Sequence, residues 1–379
     1  MPDESECYIY IIYLCVGNYF LAMAVTQYDQ NDLQRMATLL TESKTVVVTC
    51  HLSPDGDALG SSLGLRAVMA GLNPTAKVYV VTPDEPTRNL SFLPGFRQIL
   101  PYTRATDFVN NVLQRADLLV CLDFNELCRT DRLADALRGC RASKLHIDHH
   151  LNPEDFAALR FSYPEKSSTC VLLYEILKGA GLGNFISTDA ANCILTGMMT
   201  DTGNFAYNIS DGNVFPVIGE LIDLGADKNR LTRLLFDTFS ESNLRIQGYA
   251  IAHKLEVDYS NHAALITLTR DELNTYGYQK GDTEGLVNRP LAIPGVLYSC
   301  YLREETDYIK VSMRSLGNLP VNELCSQYFS GGGHLNAAGG EFYGTMEECV
   351  ECFRSILEPT KQKFIDGNKV LSDILNEKL

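Results

Sequence analysis

The sequence is short of basic residues. It contains 32 lysines and arginines against 47 aspartates and glutamates, a formal net charge of -15 over 379 residues. Because tight, sequence-independent binding to duplex DNA needs a basic face, this imbalance argues against long duplex DNA as a partner. It still permits a short phosphorylated substrate, since a local cationic site or bound metal ions can reverse the field.

The chain also lacks the cysteine pattern of a secreted or zinc-ribbon protein. Most of its 12 cysteines stand singly in apolar runs, as Cys50 and Cys121 do, which is typical of reduced, buried thiols in a cytosolic protein. Cys349 and Cys352 form a lone CxxC without a second pair, and this argues against a zinc ribbon. We therefore expect a cytoplasmic protein.

A basic leader is missing from the N-terminus. No charged residue occurs between Tyr8 and Tyr28, and a run of this length is near the lower limit for a membrane span. Gly17, Asn18 and several tyrosines weaken its apolar character, and the residues before it are acidic, whereas a signal peptide begins with basic ones. We interpret 1–28 as an N-terminal extension and do not expect association with a membrane.

Short β-branched runs alternate with helical patterns in the first half of the chain. Strands are predicted at 45–50, 77–82, 117–122 and 144–147, and helices at about 57–69, 130–137, 168–178 and 188–200. This alternation predicts an α/β fold with a parallel sheet.

The second half follows a different pattern. A helical stretch at about 212–252 precedes strand-like runs at 263–268, 295–302 and 308–313. The expected organisation is an α/β domain at 29–211, a helical linker at 212–256, a smaller α+β domain at 257–362 and a tail at 363–379.

Three predicted strands end in acidic or imidazole residues. Ligands of parallel α/β sheets bind beyond the carboxyl ends of the strands, so these side chains should converge. Imidazoles and carboxylates together suit Mn²⁺, Fe²⁺, Co²⁺ or Zn²⁺ better than Ca²⁺. The residues are His51, Asp55, Asp57, Asp123, Asp148, His149 and His150.

Two further acidic positions lie at predicted helix ends. Asp57 stands where a helix is expected to begin, which suits an N-cap. Asp201 ends a predicted helix, where the helix dipole disfavours a carboxylate and a nearby cation would offset that cost. With these residues the sequence has enough ligands for a two-metal site that activates water and stabilises charge on phosphoryl oxygens.

The same motifs, in the same order, resemble those of the DHH phosphoesterase family. They are HLSPDGDALGSSLGL, VCLDFN, HIDHH and GMMTDTGNF, and GGGHLNAAGG at 331–340 resembles the glycine-rich motif of the DHH-associated C-terminal domain. The similarity extends over about residues 35–360 and includes the NrnA-type nanoRNases, which also dephosphorylate 3′-phosphoadenosine 5′-phosphate (pAp). It implies two divalent metal ions, usually manganese.

The resemblance also implies a role for each matching residue of the first domain. His51 and Asp55 would hold one metal ion, while Asp57, His149 and Asp201 would hold the other, with Asp123 bridging them. His150 would face the substrate phosphate, and Asp148 would orient a histidine from behind.

In the second domain the resemblance assigns substrate contacts. The glycine triplet would let backbone amides approach an anion, and an arginine can grip a phosphate with two hydrogen bonds. Arg289 departs from the aromatic residue that relatives carry at that position. The implied substrate residues are Asn288, Arg314, Ser315, Gly331, Gly332, Gly333 and His334.

The leading interpretation is a metal-dependent phosphoesterase that degrades short oligonucleotides (nanoRNA) from an end to nucleoside monophosphates and also dephosphorylates pAp. The alternative within the family is a phosphodiesterase for cyclic or linear dinucleotides such as cyclic di-AMP or pApA. RecJ-like exonucleases are longer, and the GGGH motif argues against a family-II pyrophosphatase. An inactive nucleotide-binding protein would lack at least one ligand, and none is missing. A homodimer is compatible with the sequence.

Overall fold

The structure is a computed structural model that describes residues 28–209 and 212–377. The predicted N-terminal extension, apart from Tyr28, lies outside the described residues. The chain divides into two compact units, Met1–Asp237 and Thr238–Leu379. In the described ranges, no helix is both long and apolar enough to cross a membrane.

The first unit is built on a six-stranded parallel sheet with the strand order β3-β2-β1-β4-β5-β6. Its strands are β1 (Thr45–Thr49), β2 (Lys77–Thr82), β3 (Leu100–Pro101), β4 (Leu118–Leu122), β5 (Ser143–Asp148) and β6 (Leu159–Ser162). Its helices are α1 (Gln30–Glu42), α2 (Gly56–Leu72), α3 (Tyr102–Arg115), α4 (Ala134–Gly139), α5 (Thr169–Gly179), α6 (Thr188–Asp201), α7 (Val214–Asp223) and α8 (Lys228–Phe236). Short 3₁₀ turns cover Arg88–Leu90, Phe96–Gln98, Leu127–Leu133 and Gly183–Phe185.

The central strands explain why the sheet is parallel and covered on both faces. Every residue of β4 is buried, as are the last four of β1, and near-continuous apolar strands of this kind occur where helices cover both faces of a sheet. The predicted α/β class is confirmed, and so are the four predicted strands. Strands β3 and β6 were missed because two and four residues are too few to carry a periodic pattern.

Helices α2 and α6 pack closely enough to exclude side chains between them. A Cβ added at Gly60 would lie 2.5 Å from the Cys193 carbonyl oxygen, and one at Gly197 would lie 2.7 Å from Asp57 Oδ1. This close approach brings the start of α2, which carries Asp57, next to the end of α6, which carries Asp201.

The second unit holds a six-stranded mixed sheet with the order β11-β12-β10-β9-β8-β7, antiparallel except between β8 and β9. Its strands are β7 (Leu255–Asp258), β8 (Ala263–Leu268), β9 (Tyr298–Glu304), β10 (Ile309–Ser315), β11 (Gly332–His334) and β12 (Ala337–Phe342). Its α-helices are α9 (Glu241–Tyr249), α10 (Arg270–Thr275), α11 (Val321–Tyr328), α12 (Met346–Ser355), α13 (Leu357–Thr360) and α14 (Lys369–Glu377). A 3₁₀ helix spans Leu286–Ala292, and π-helical turns span Ala250–Lys254 and Lys361–Ile365.

The two faces of this sheet differ in polarity along strand β10. Ile309, Val311 and Met313 are buried in the core of the unit, whereas Lys310 is exposed and Ser312 and Arg314 are partly exposed. Since successive side chains of a strand point to opposite faces, these three polar residues share the face away from that core. The α+β character predicted for this region is confirmed.

Candidate metal centre

The carboxyl ends of β1, β4 and β5 bring the predicted acidic and histidine residues together. Three overlapping groups each have their potential ligand atoms within 4.8 Å of one another. The groups are His51–Asp55–Asp123, Asp57–His149–Asp201 and Asp123–His149–His150. All six residues predicted as metal ligands therefore lie in one cluster, together with His150.

Asp123 stands between the two halves of this cluster. Its Oδ2 lies 3.5 Å from His51 Nε2, and its Oδ1 lies 3.6 Å from His149 Nε2. The residue is buried and has a φ of +64°, a left-handed conformation that is strained for a residue with a side chain and is often found at functional sites. Its two oxygens face different imidazoles, which is the arrangement that a carboxylate needs to bridge two metal ions.

The two imidazoles are oriented by backbone carbonyls. His51 Nδ1 lies 2.8 Å from the Leu52 carbonyl oxygen, and His149 Nδ1 lies 3.1 Å from that of Lys166. Because a carbonyl oxygen can only accept a hydrogen bond, each Nδ1 carries the proton and donates it. Each Nε2 is therefore left to face the carboxylates, as in histidines that bind metal ions through Nε2.

The start of helix α5 orients two of the carboxylates. The backbone N–H groups of Thr169 and Cys170 donate to Asp57 Oδ2 and Oδ1 at 2.6 and 2.9 Å, and the Thr169 hydroxyl donates to Asp123 Oδ1 at 2.9 Å. Sequence reasoning missed both residues. Ser168 before an apolar run indicates an N-cap, but nothing in the sequence tells which carboxylates the helix start meets.

The N-cap of α2 corrects one expectation. Asp57 was expected at the cap position, but α2 begins at Gly56 and its cap is Asp55, whose side chain accepts from the N–H groups of Asp57 and Ala58. The expectation was wrong because the helix starts one residue earlier than the pattern predicted. Asp57 lies inside the first turn, fully buried, with its carboxylate turned toward α5.

Asp148 lies behind His150. Its Oδ1 is 2.7 Å from His150 Nδ1, and the residue is fully buried. This contact fixes the orientation of the imidazole, whose Nδ1 is also 3.8 Å from Asp123 Oδ1. The hydrogen bond therefore links two residues of the third motif and holds the His150 imidazole near the central carboxylate.

A buried ion pair supports the loop that orients His149. Lys166 is 2% exposed, and its Nζ lies 2.8 Å from Glu175 Oε2 on α5. The Tyr28 hydroxyl donates to the same carboxylate. Because the Lys166 carbonyl accepts the His149 hydrogen bond, this ion pair helps to hold the imidazole in place.

The electrostatics of the cluster favour a bound cation. Burial and the neighbouring Asp123 raise the pKa of Asp57 well above its usual range, and burial and Asp57 do the same to the pKa of Asp201. Burial opposes charge on His51 and Asp123, but their mutual hydrogen bond and the attraction of neighbouring charged groups together outweigh it, raising the pKa of His51 and lowering that of Asp123. Crowded buried carboxylates repel one another, and divalent cations would relieve that repulsion, so the donor set fits such ions.

The predicted substrate residues of the second unit only partly converge. Arg314 and Gly332 line a groove of about 540 Å³ on the open face of the sheet. Ser315 is buried, with its hydroxyl donating to the Leu319 carbonyl, and Asn288 is exposed on the 3₁₀ helix; neither lines this groove.

The glycine triplet has a structural reason within the β11–β12 pair. A Cβ at Gly331 would lie 2.0 Å from the Gly339 carbonyl oxygen. Gly333 has a φ of +143°, in the region that favours glycine. Two of the three glycines are therefore needed for the close approach of the strands, whatever ligand they contact.

Comparison with known proteins finds similarity over both units. Residues 45–198 match the DHH family, N-terminal domain, and residues 264–363 match the DHHA1 domain. The chain is 29% identical over 301 residues to a bifunctional oligoribonuclease and PAP phosphatase NrnA from Bacillus subtilis, covering 79% of this chain and 90% of that one. A cyclic-di-AMP phosphodiesterase PdeA from Listeria monocytogenes is 26% identical, over 80% of this chain and 46% of that one.

A solved structure is similar along nearly its whole length. The chain is 42% identical to an exopolyphosphatase-related protein from Bacteroides fragilis, with a TM-score of 0.87, covering 89% of this chain and 98% of that one. Because 89% of the chain is more than the first unit contains, the similarity includes residues of both units.

Proposed function

The chain belongs to the DHH family, and from this premise we propose that it is a metal-dependent phosphoesterase that hydrolyses short oligonucleotides from an end to nucleoside monophosphates and removes the 3′-phosphate of pAp. The observation that carries the proposal is the cluster around Asp123, where two imidazoles face opposite oxygens of one buried carboxylate. The substrate class follows from the NrnA relatives, which match over most of their own length. The proposed location is the cytoplasm, where the buried cysteines would remain thiols.

We assign two divalent ions, preferably Mn²⁺, to the cluster. His51 and Asp55 would hold one ion, Asp57, His149 and Asp201 the other, with Asp123 shared. Such ions lower the pKa of a water molecule and stabilise negative charge on phosphoryl oxygens. Within the protein, the Leu52 and Lys166 carbonyls keep the two Nε2 atoms aimed inward, and the start of α5 fixes the carboxylates.

His150 is assigned to the substrate phosphate. Asp148 accepts its Nδ1 proton and so orients the imidazole, and the resemblance implies that this imidazole faces a phosphoryl oxygen. On the second unit, the role that the resemblance implies for Arg314 is contact with a phosphate group. We also assign His334 to a substrate phosphate, as the resemblance of its motif implies.

The experiment is a turnover panel with Mn²⁺ added to metal-stripped protein. The substrates are a five-nucleotide RNA, pAp, pApA and cyclic di-AMP, and the matched control is the Asp123→Asn variant. We expect hydrolysis of the RNA, pApA and pAp, little of cyclic di-AMP, and none by the control. Preferred hydrolysis of cyclic di-AMP would instead support the alternative cyclic-dinucleotide activity. Binding of Mn²⁺ without hydrolysis of any substrate would refute the proposal.

A further inference from the structure

The groove on the second unit has positive charge at two separate places. Lys310, Ser312 and Arg314 occupy one face of β10, and all three line the groove of about 540 Å³. Lys310 and Arg314 are four residues apart, so their Cα atoms are separated by about 13 Å along the strand. The volume lies in the range of small-molecule sites, about 300–1,000 Å³.

Lys310 forms no ion pair among the described residues, although Glu284 and Glu305 attract its charge at longer range. Its partners in register are Arg303 on β9 and Glu341 on β12. Arg303 is engaged by Glu305, with Nε 2.9 Å from Oε1, and Glu341 accepts a hydrogen bond from Tyr343. Within the described part of the chain, the charge of Lys310 is therefore not neutralised by a direct contact.

The residues that line the groove between Lys310 and Arg314 have small side chains. Ser312 is the residue of β10 between them, and its partner on β12 is Gly339. Gly339 has no side chain and Ser312 has a small one, so neither interrupts the groove there. An extended ligand can therefore lie along β10 from one cation to the other.

Two carboxylates in the groove limit which phosphorylated ligands can bind there. Glu284 and Glu341 also line the groove, and they offset its positive charge overall. A single phosphate group gains little in such a groove, because the carboxylates repel it as the cations attract it. A chain whose phosphates reach both Arg314 and Lys310 gains two contacts at once.

We propose that Lys310 forms a second phosphate subsite, beyond the one at Arg314, that selects oligonucleotides over nucleoside bisphosphates. This inference rests on the proposed function, since it takes Arg314 as the first phosphate contact. An RNA chain of several nucleotides carries phosphates spaced along its length and can span the groove. The two phosphates of pAp sit on one ribose and span a single internucleotide step, so they extend over less of the groove than the phosphates of an RNA chain.

The test compares Lys310→Gln with a matched loss of charge outside the groove. Lys369→Gln removes an exposed lysine at the start of α14, and Lys310→Arg keeps the charge in place. We expect Lys310→Gln to raise the KM for a five-nucleotide RNA about fivefold, as for the loss of one exposed charge pair. The KM for pAp should not change. The slope of log Kd for the RNA against log salt should fall by about 0.7.

Several outcomes would overturn the inference. If Lys310→Gln raised the KM for the RNA and for pAp equally, Lys310 would not distinguish substrates by length. If Lys369→Gln raised the KM for the RNA as much as Lys310→Gln does, only the net charge of the protein would matter. If the wild-type protein hydrolyses neither substrate, the proposed function fails. The subsite is then judged by fluorescence anisotropy of the labelled RNA on metal-stripped protein, where identical affinities of wild type and Lys310→Gln would refute it.

Discussion

The hydroxyl of Thr169 offers the sharpest test of how the metal centre is organised. Thr169→Val removes the hydrogen bond of 2.9 Å to Asp123 Oδ1 but keeps the shape of the side chain and the N–H that donates to Asp57. A hydrogen bond to a charged group contributes about 1.5–3 kcal/mol, and losing a partner of a metal ligand lowers metal affinity by about 10–100-fold. We therefore expect Mn²⁺ to bind about 10–100-fold more weakly to this variant.

Calorimetric titration of Mn²⁺ into the metal-stripped variant measures this effect directly. Activity at saturating Mn²⁺ should return toward the wild-type value, because the hydroxyl orients a ligand and does not touch the substrate. Thr169→Ser restores the hydroxyl and is the matched control, so it should recover both affinity and activity. A Kd for Mn²⁺ within about twofold of the wild-type value would refute the view that α5 orients Asp123.

Three other perturbations follow from the same contacts. Asp123→Asn should abolish both metal binding and turnover, and a variant that still binds two Mn²⁺ ions by calorimetry would contradict the bridging role. In the presence of a chelator, the free energy of unfolding should fall as the pH rises from about 5 to 8. The reason is that burial and neighbouring carboxylates raise the folded-state pKa values of Asp57 and Asp201, so the folded state binds more protons than the unfolded chain. Thermal melts with and without Mn²⁺ measure this dependence, and a flat profile without metal would count against it. Glu175→Ala removes the carboxylate that pairs with the buried Lys166 ammonium and should lower the free energy of unfolding by about 3 kcal/mol in a denaturant titration, whereas a loss below about 1 kcal/mol would contradict a stabilising role for the pair.

The first unit could be predicted in outline because its signals are local. Runs such as TVVVT and LLVCL identify buried parallel strands without knowledge of the rest of the chain, and the residues directly after them must lie at the carboxyl edge of the sheet. The positions of His51, Asp123 and His149 follow from this rule alone. Asp201 was found by a different signal, because it ends a predicted helix, where the helix dipole disfavours a carboxylate unless a cation lies nearby.

What the sequence could not predict depends on contacts between distant segments. Thr169 and Cys170 meet Asp57 across more than 100 residues, and no local pattern specifies that meeting. In the second unit, the resemblance at 331–340 implied backbone amides that approach an anion, but it did not indicate that most of this motif forms β11 and β12. Gly331 is required because a Cβ there would meet the Gly339 carbonyl oxygen.

The two halves of the metal centre are not equally rigid, and this asymmetry bears on how the proposed ions would behave. Asp57 is fully buried and both of its oxygens accept backbone hydrogen bonds, whereas the Asp55 side chain is 57% exposed. Each carboxylate oxygen has two lone pairs, so Asp57 can still bind an ion while α5 holds it. In the proposed assignment, the ion at Asp57 and His149 would be bound by preorganised ligands, and the ion at Asp55 would be the more exchangeable one, close to solvent and to an incoming phosphate.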